Sequence, residues 1–491
     1  MTFIGIDCGT SALKAVLVDD RQALLASASE SYSPSHPRPL WSEQNPEDWR
    51  DAMFAALASL ARQNPAGARA LRGIGFSGQM HGAVLLDAAD KPLRAAILHN
   101  DTRAFAEARD LAEKHPDLPA ILGVKPMAGF SAPKIAWLRR HEPEVMARLA
   151  CLLMPKDYLR LCLTGDKATD MSDAAGAWLL DEAARRWSSE AIEAVGLSQS
   201  ALPRLVEGSE RVGVLRAEIA ERFGFPRDTI VAAGGGDAAV GALGIGAIGE
   251  GQAFISLGTA SQLIVARDRY RAAPERLVHS FAHALPGRWY AMAAMLNGAG
   301  ALAFAGRLLG ASAGELEAQA ARDYRGPGEL LFLPYLSGER TPHDDPHARG
   351  VYFCLSQSTG RADFARATME GVACTQADAR ECLEAGGAPV LGQIGLIGGG
   401  SRSDLWTRMI AAALDRPVVR YRDGETGPAF GAARLGRLAA LGEAPETVCR
   451  EPEIRDVTPP DPALVEKFAR TLQRFRQLYR ALKPEFAASA R

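Results

Sequence analysis

Two acids beside glycine-rich turns are the residues of this 491-residue chain best suited to chemistry. Asp7 stands in GIDCGTSALK, where an apolar strand passes through Gly9 and Thr10 into a second strand, so its carboxylate lies next to a tight Gly-Thr turn. Asp237 stands in AAGGGDAAVG, where a strand and three glycines lead into a helix. Taken singly, Asp237 reads as readily as an N-cap for a helix beginning at Ala238, and Asp7 as an acid satisfied by hairpin amides. Taken together, they suit phosphoryl transfer from ATP to an alcohol. One carboxylate would be the general base for the attacking hydroxyl, and the other would hold magnesium through water beside the phosphates.

The surrounding glycines narrow the options. TIVAAGGGDAAVGALG and QIGLIGGGSRSDLWTRMI both run strand, turn, helix, which puts backbone N–H groups where a phosphate can sit, although either alone reads equally as a ligand-free turn. Gly244, Gly246 and Gly249 spell GxGxxG, but at the end of a helix, the reverse of what a dinucleotide needs. Gly234, Gly236 and Ala239 have the right order, but Asp237 inside that loop would repel a pyrophosphate. The chain contains no GxxxxGK[ST], HRD or DFG, which closes the P-loop and protein-kinase routes. His279 and His283 have the i, i+4 spacing of half a zinc site, but strand-like flanks and no nearby third ligand make them structural. GQMHG places Met80 and His81 directly after a strand, a usual place for ligand contacts in α/β sheets, with packing the equal alternative. Asp101 and Arg103, in HNDTR, read in isolation as a surface ion pair.

The elements that must carry these residues come in two sets. IGIDCGTSALKAVLVDD at 4–20 returns in weaker form as FISLGTASQLIVARD at 254–268, with Gly9 and Gly258 equivalent and 258 − 9 = 249 residues apart, about half the chain. Asp7 becomes Ser256 in the second copy. Strand-like and helical runs alternate in both halves, which predicts an α/β fold. A boundary near Gly246 gives lobes of 1–246 and 247–491, with 104–228 elaborating the first.

Composition sets outer limits. With 47% hydrophobic and 23% charged residues the chain can build ordinary cores, and a formal net charge of −2 without a Lys/Arg run offers nothing to nucleic acid or an anionic membrane. The Gly/Ala-rich stretch 232–249 is interrupted by Asp237 and reads as packed interior. Seven scattered cysteines without a CxxC pair, and a start that enters a strand with no export signal, lead to an expectation of the cytoplasm.

In this order, GIDCGTSALK, GQMHGAVLLD, FSAPKIAWL, LMPKDYLRLCLTG, DMSDAAG, AGGGDAA, SLGTAS, FLPYLSGERTPHDDP and LIGGGSRSD resemble the FGGY carbohydrate kinases, and among them the xylulokinases, over nearly the whole chain. The resemblance implies two actin-like, ribonuclease-H-like domains around a central catalytic cleft, the first for sugar and the second mainly for ATP and magnesium. It implies ATP-dependent phosphorylation of D-xylulose at O5, with Asp237 as base and Asp7 organising magnesium. Thr10, Ser11 and Lys14 match the family's first phosphate turn, and Thr259 the second. Gly298, Gly399 and Ser403 match the nucleotide site; Met80, His81 and Asp101 match the sugar side. Three positions depart from the xylulokinase pattern: Ala238 for an Asn, His99 for a Trp, and Ala260-Ser261 for Ser-Gly. The alternatives left standing are a kinase for another ketose or polyol such as ribulose, and an actin-like ATPase without sugar kinase activity. A homodimer is among the assemblies the sequence allows.

Overall fold

The structure is a computed structural model that describes residues 1–422 and 427–488. In the first half, strands β1 (Thr2–Cys8), β2 (Ala12–Asp19) and β3 (Leu24–Ser31) are followed by helix α1 (Pro46–Gln63) and strand β4 (Leu71–Gly78). Helices α2 (Ser131–His141), α3 (Pro155–Thr164) and α4 (Met171–Gly176) belong to the expected elaboration, and β5 (Arg211–Val214), β6 (Ile230–Ala232) and α5 (Asp237–Ile245) end this half. The second half contributes β7 (Ala253–Leu257), β8 (Ser261–Arg267), β9 (Val278–Ala282), β10 (Trp289–Met295), α6 (Arg361–Ala385), β11 (Ile394–Ile397), α7 (Asp404–Leu414), β12 (Val418–Tyr421), α8 (Gly427–Leu441), β13 (Ile454–Thr458) and α9 (Pro462–Ala488). The second expected lobe, 247–491, includes residues 423–426 and 489–491, which lie outside the described residues.

The two sheets have one topology. The first is ordered β5-β6-β4-β1-β2-β3 and the second β13-β12-β11-β7-β8-β10-β9. In each, a central strand pairs antiparallel with its hairpin partner and parallel with a strand far along the chain: β1 with β2 and β4, β7 with β8 and β11. The duplication read from the Gly-Thr hairpins therefore extends to every core strand; the second copy adds β9, and the first a short strand, Gly235–Gly236, beside β4. Each βαβ crossover requires a buried, near-continuous apolar strand, which IGIDC, IGFSG and IGLI supply.

Helices α5 and α8 cross between the halves, and glycine lets them do so. A Cβ on Gly5 or Gly75 would fall on the carbonyl oxygens of Ala429 or Ala432, and one on Gly431 on that of Val240. Thus α8, from the second half of the chain, lies flat on the first sheet, and α5, which begins at Asp237, lies flat on α8. The apolar Gly/Ala stretch 232–249 is packed interior for this reason. Among the described residues no helix is long and apolar enough to cross a membrane.

Candidate active site

The first Gly-Thr turn closes the β1–β2 hairpin and is tied down from behind. Tyr32 donates its hydroxyl to the Gly9 carbonyl at 2.7 Å, and the Gln44 amide donates to the Thr10 carbonyl at 2.7 Å. Gln79 reaches the Gly9 carbonyl at 3.4 Å and takes the Thr10 hydroxyl at 3.3 Å. Ser11 is left exposed and Thr10 half-buried at the tip. Asp7 faces Lys14 across the hairpin and Ser77 on β4. Its Oδ1 is buried without a hydrogen-bond partner among the described residues. Burial pushes the Asp7 carboxyl up to about 6, against the pull of Ser77 and Lys14.

Asp237 is the first residue of α5; the N-cap position belongs to Gly236, and Asp237 Oδ1 accepts the Ala238 N–H at 2.8 Å. The N-cap reading is thus off by one residue. Burial pushes Asp237 up to about 7, and the neighbouring Asp7 charge adds to the rise. Its side chain remains partly exposed, the condition of a group on the floor of a cleft. Tyr290 of β10, in the second sheet, lies within its field.

A buried ionic cluster holds the loop that delivers Asp237. Gly236 donates its N–H to Ser172 Oγ at 3.0 Å, and Ser172 donates to Asp170 at 2.5 Å. Lys156 pairs with Asp170 at 2.9 Å and Asp157 at 2.6 Å; Arg160 pairs with Asp157 at 2.7 Å and donates to the Ala233 carbonyl at 2.8 Å. All five side chains are fully enclosed. Asp173, also enclosed and 3.4 Å from Lys156, is held well above the ordinary carboxylate range, chiefly by burial. Enclosed together, the two cations and the carboxylates offset one another, as their burial demands.

His81 sits in the left-handed region, at φ 69°. Its carbonyl accepts the buried Lys134 ammonium at 2.8 Å and the Ser131 hydroxyl at 3.1 Å, which fixes that backbone. Its ring Nδ1 lies 2.6 Å from the Gly176 carbonyl and so carries the proton, leaving Nε2 as the acceptor. Burial keeps the imidazole neutral, and Phe130 packs on it at 4.6 Å. Met80 is buried against Tyr290, and a Cβ on Gly236 would press on its thioether.

Two sequence expectations change. Asp101 and Arg103 form a buried pair, not a surface one: the carboxylate takes the Arg103 guanidinium at 2.6 Å and the Ser42 N–H at 2.7 Å, and Arg103 lies 3.5 Å over the Trp41 ring. Both Asp101 oxygens are thereby engaged by Arg103 and Ser42. Ser403 is buried and caps α7 by accepting the Trp406 N–H at 3.0 Å, while its neighbours Ser401 and Arg402 line a cavity of the second half.

That cavity, of about 620 Å³, is lined by Ser256, Gly398, Gly399, Ser401, Arg420 and Pro428, among others. Ser256 is the counterpart of Asp7, so the second copy opens onto a cavity where the first presents an acid. Pro428 also lies 3.9 Å from the Cβ position of Gly241 on α5, which joins the helix that begins at Asp237 to the cavity wall. Thr259 is exposed on the second turn, whose Gly258 and Thr259 carbonyls accept the N–H groups of Ala299 and Gly300 at 2.7 and 3.2 Å. A side chain at Gly298 would fall on this turn, so only glycine fits.

Sequence reasoning gave no role to Gln44, Gln79, Lys134, Lys156 or Ser172. All but Gln44 lie inside motifs that it had singled out (QMHG, FSAPK, MPKDYLR, DMSDAAG), and that was the available signal. Arg420 lies in no motif. His279, on β9, and His283 just beyond it are on extended chain, where i and i+4 stand about 13 Å apart, too far for one metal.

Comparison with known proteins agrees with this geometry. Residues 2–244 match the N-terminal domain, and 253–440 the C-terminal domain, of the FGGY family of carbohydrate kinases. The xylulose kinase of Escherichia coli K12 is 42% identical over 99% of this chain and 100% of its own length. A solved structure from Brucella ovis, described as a xyloylose kinase, superposes with a TM-score of 0.96 at 43% identity over 99% of this chain and 100% of that one. The xylulose kinase structure from Rhodospirillum rubrum gives 0.90 at 29% identity, over 99% and 100%. The fold is accordingly the actin-like ATPase fold. With two matched sheets, a carboxylate beside the first Gly-Thr turn and another at the start of the crossing helix, the chain belongs to the FGGY family of carbohydrate kinases.

Proposed function

We propose that this chain transfers the γ-phosphoryl group of ATP to O5 of D-xylulose. The observation that carries the proposal is the meeting of Asp237 and Asp7: two partly exposed carboxylates from different elements, close enough that one raises the other's pKa. The relatives that the chain matches over nearly its full length are xylulose kinases, which supports D-xylulose as the acceptor.

Residues 1–246 would bind the sugar and 247–491 most of the nucleotide. Asp237 takes the proton from the terminal hydroxyl as that oxygen attacks; held up to about 7, it is basic enough to accept the proton and ionised enough near neutral pH to do so. His81 offers Nε2 to a sugar hydroxyl in one fixed tautomer. The Ala238 side chain adds no hydrogen bond. Thr10, Ser11 and Lys14 on one turn and Thr259 on the other would receive the triphosphate, with the base in the 620 Å³ cavity. Asp7, with its unpartnered Oδ1, fits a hard divalent cation, which we take to be magnesium; when bound, the ion neutralises phosphate charge. Closure of the lobes would keep water from the phosphoryl group. With all seven cysteines unpaired, a reducing cytoplasm suits the protein.

The test is an assay of ADP release across pentuloses and pentitols, with Asp237→Ala alongside. D-Xylulose should be the best acceptor, and the variant should lose roughly 10²- to 10⁴-fold in kcat while still binding ATP. Near-normal turnover by the variant would refute the base assignment; brisk ATP hydrolysis without sugar would refute the kinase.

A further inference from the structure

Arg340 is a cation that the mechanism above does not use. It lies in LSGERTPHDDP, a second-half segment stapled across the ends of β9 and β10: Thr341 donates its hydroxyl to the Leu277 carbonyl at 2.9 Å and accepts the Ala294 N–H at 3.3 Å. Four residues on, Asp344 reaches Lys125 of the first half at 3.8 Å, so this segment bridges the two halves on the sugar side. Its neighbour Glu339 is turned inward, bonded to the Leu296 N–H at 2.7 Å and the Asn297 amide at 3.2 Å. The Arg340 guanidinium, by contrast, has no hydrogen bond or ion pair with any described residue, although it is only partly exposed. Near the charges of Glu339 and Asp344 but bonded to neither, this half-buried guanidinium keeps its planar fork of donors available to a ligand.

The groups facing it say what kind of ligand. Burial is the main cause that lowers His99, to about 4, and His279, to about 3, and the Arg340 charge adds to both, so it stands between a first-half loop and β9. His99 is exposed to solvent, while the His279 ring is enclosed with neither nitrogen hydrogen-bonded, 6.1 Å from the Phe130 ring that also packs on His81. All three imidazoles are neutral and can donate to or accept from hydroxyls.

We propose that Arg340 is a specificity residue of the sugar pocket, supplied by the second half of the chain, which binds the carbonyl end of the ketose opposite the hydroxyl held by Asp237, with His279 behind it. The proposal rests on the sugar-kinase reading above. The planar fork donates to the C2 carbonyl oxygen and an adjacent hydroxyl, so a ketose closes the two halves and an alditol of the same length does so poorly.

Steady-state kinetics of Arg340→Ala, Arg340→Lys and His279→Phe, with D-xylulose and with xylitol, test it. Wild-type turnover of D-xylulose comes first; its absence would sink the sugar-kinase reading itself. Given that turnover, Arg340→Ala should raise the KM for D-xylulose roughly 10- to 100-fold, leave the KM for ATP within about twofold, and erase most of the preference over xylitol. Arg340→Lys should restore part of that preference, and His279→Phe, which keeps the packing, should raise the sugar KM by a smaller factor. An unchanged KM for D-xylulose in Arg340→Ala, or a rise confined to the KM for ATP, would overturn the proposal.

Discussion

Asp7 and Asp237 do different work because their surroundings differ, although both are carboxylates pushed upward by burial. Asp7 looks across the hairpin at Lys14, which favours its ionised form, while Asp237 looks at Asp7, which disfavours it. With Asp237 as the base proposed above, its protonated form cannot accept the hydroxyl proton, and activity should fall as pH drops through its raised pKa. The acid limb of kcat/KM for the sugar should therefore lie near 7, not near the ordinary carboxylate value of about 4. Asp7→Asn removes the like charge and should move that limb to lower pH, besides reducing the rate. A pH–rate profile of both proteins reads this directly, and a wild-type limb at the ordinary value would contradict it.

At the scale of elements, the segment before α5 is held by α3 and α4 in addition to the pairing of Gly235 and Gly236 with Ser77 and Gly78 of β4. Arg160 on α3 holds the Ala233 carbonyl, and Ser172 on α4 holds the Gly236 N–H, so a rigid buried charge cluster sets where Asp237 begins. Ser172→Ala breaks one of these two ties without touching substrate. It should lower kcat by about 10-fold with the KM for ATP unchanged, and without altering the pH of the acid limb, since no charge is lost. Ser172→Thr, which keeps the hydroxyl, should recover much of the loss. A kcat equal to wild type in Ser172→Ala would show that the glycines position the base unaided.

For the molecule as a whole, the duplication explains the architecture and α8 explains how the copies are joined. Each half builds the same sheet, but α8 leaves the second half and lies on β1 and β4 of the first, at a distance that only glycine permits. Gly75→Ala would drive a methyl group into the Ala432 carbonyl, with no room for α8 to retreat because α5 packs on its other side. It should cost about 2 kcal/mol or more, seen as a fall of several degrees in Tm, while Ala substitution at Gly224, which meets nothing around its Cβ position, tests only the strain of its positive φ. An unchanged Tm for Gly75→Ala would show that the helix can shift, and hence that the two sheets are not rigidly joined there.

The sequence by itself determined what depends on local order: the two Gly-Thr hairpins, the alternation of strand and helix, the acid at 7 against the serine at 256, and Asp237 at a helix start. These are set by neighbours within a few residues, so spacing and residue type suffice to find them. Only the tertiary structure decided that Asp101 is taken by Arg103 and Ser42, that Ser403 caps a helix while Ser401 lines the cavity, and that Lys134, Lys156 and Arg340 stand where they do. The reason is electrostatic and steric. A buried charge is defined by partners that come from distant parts of the chain, and nothing in the order of residues states which of them will meet.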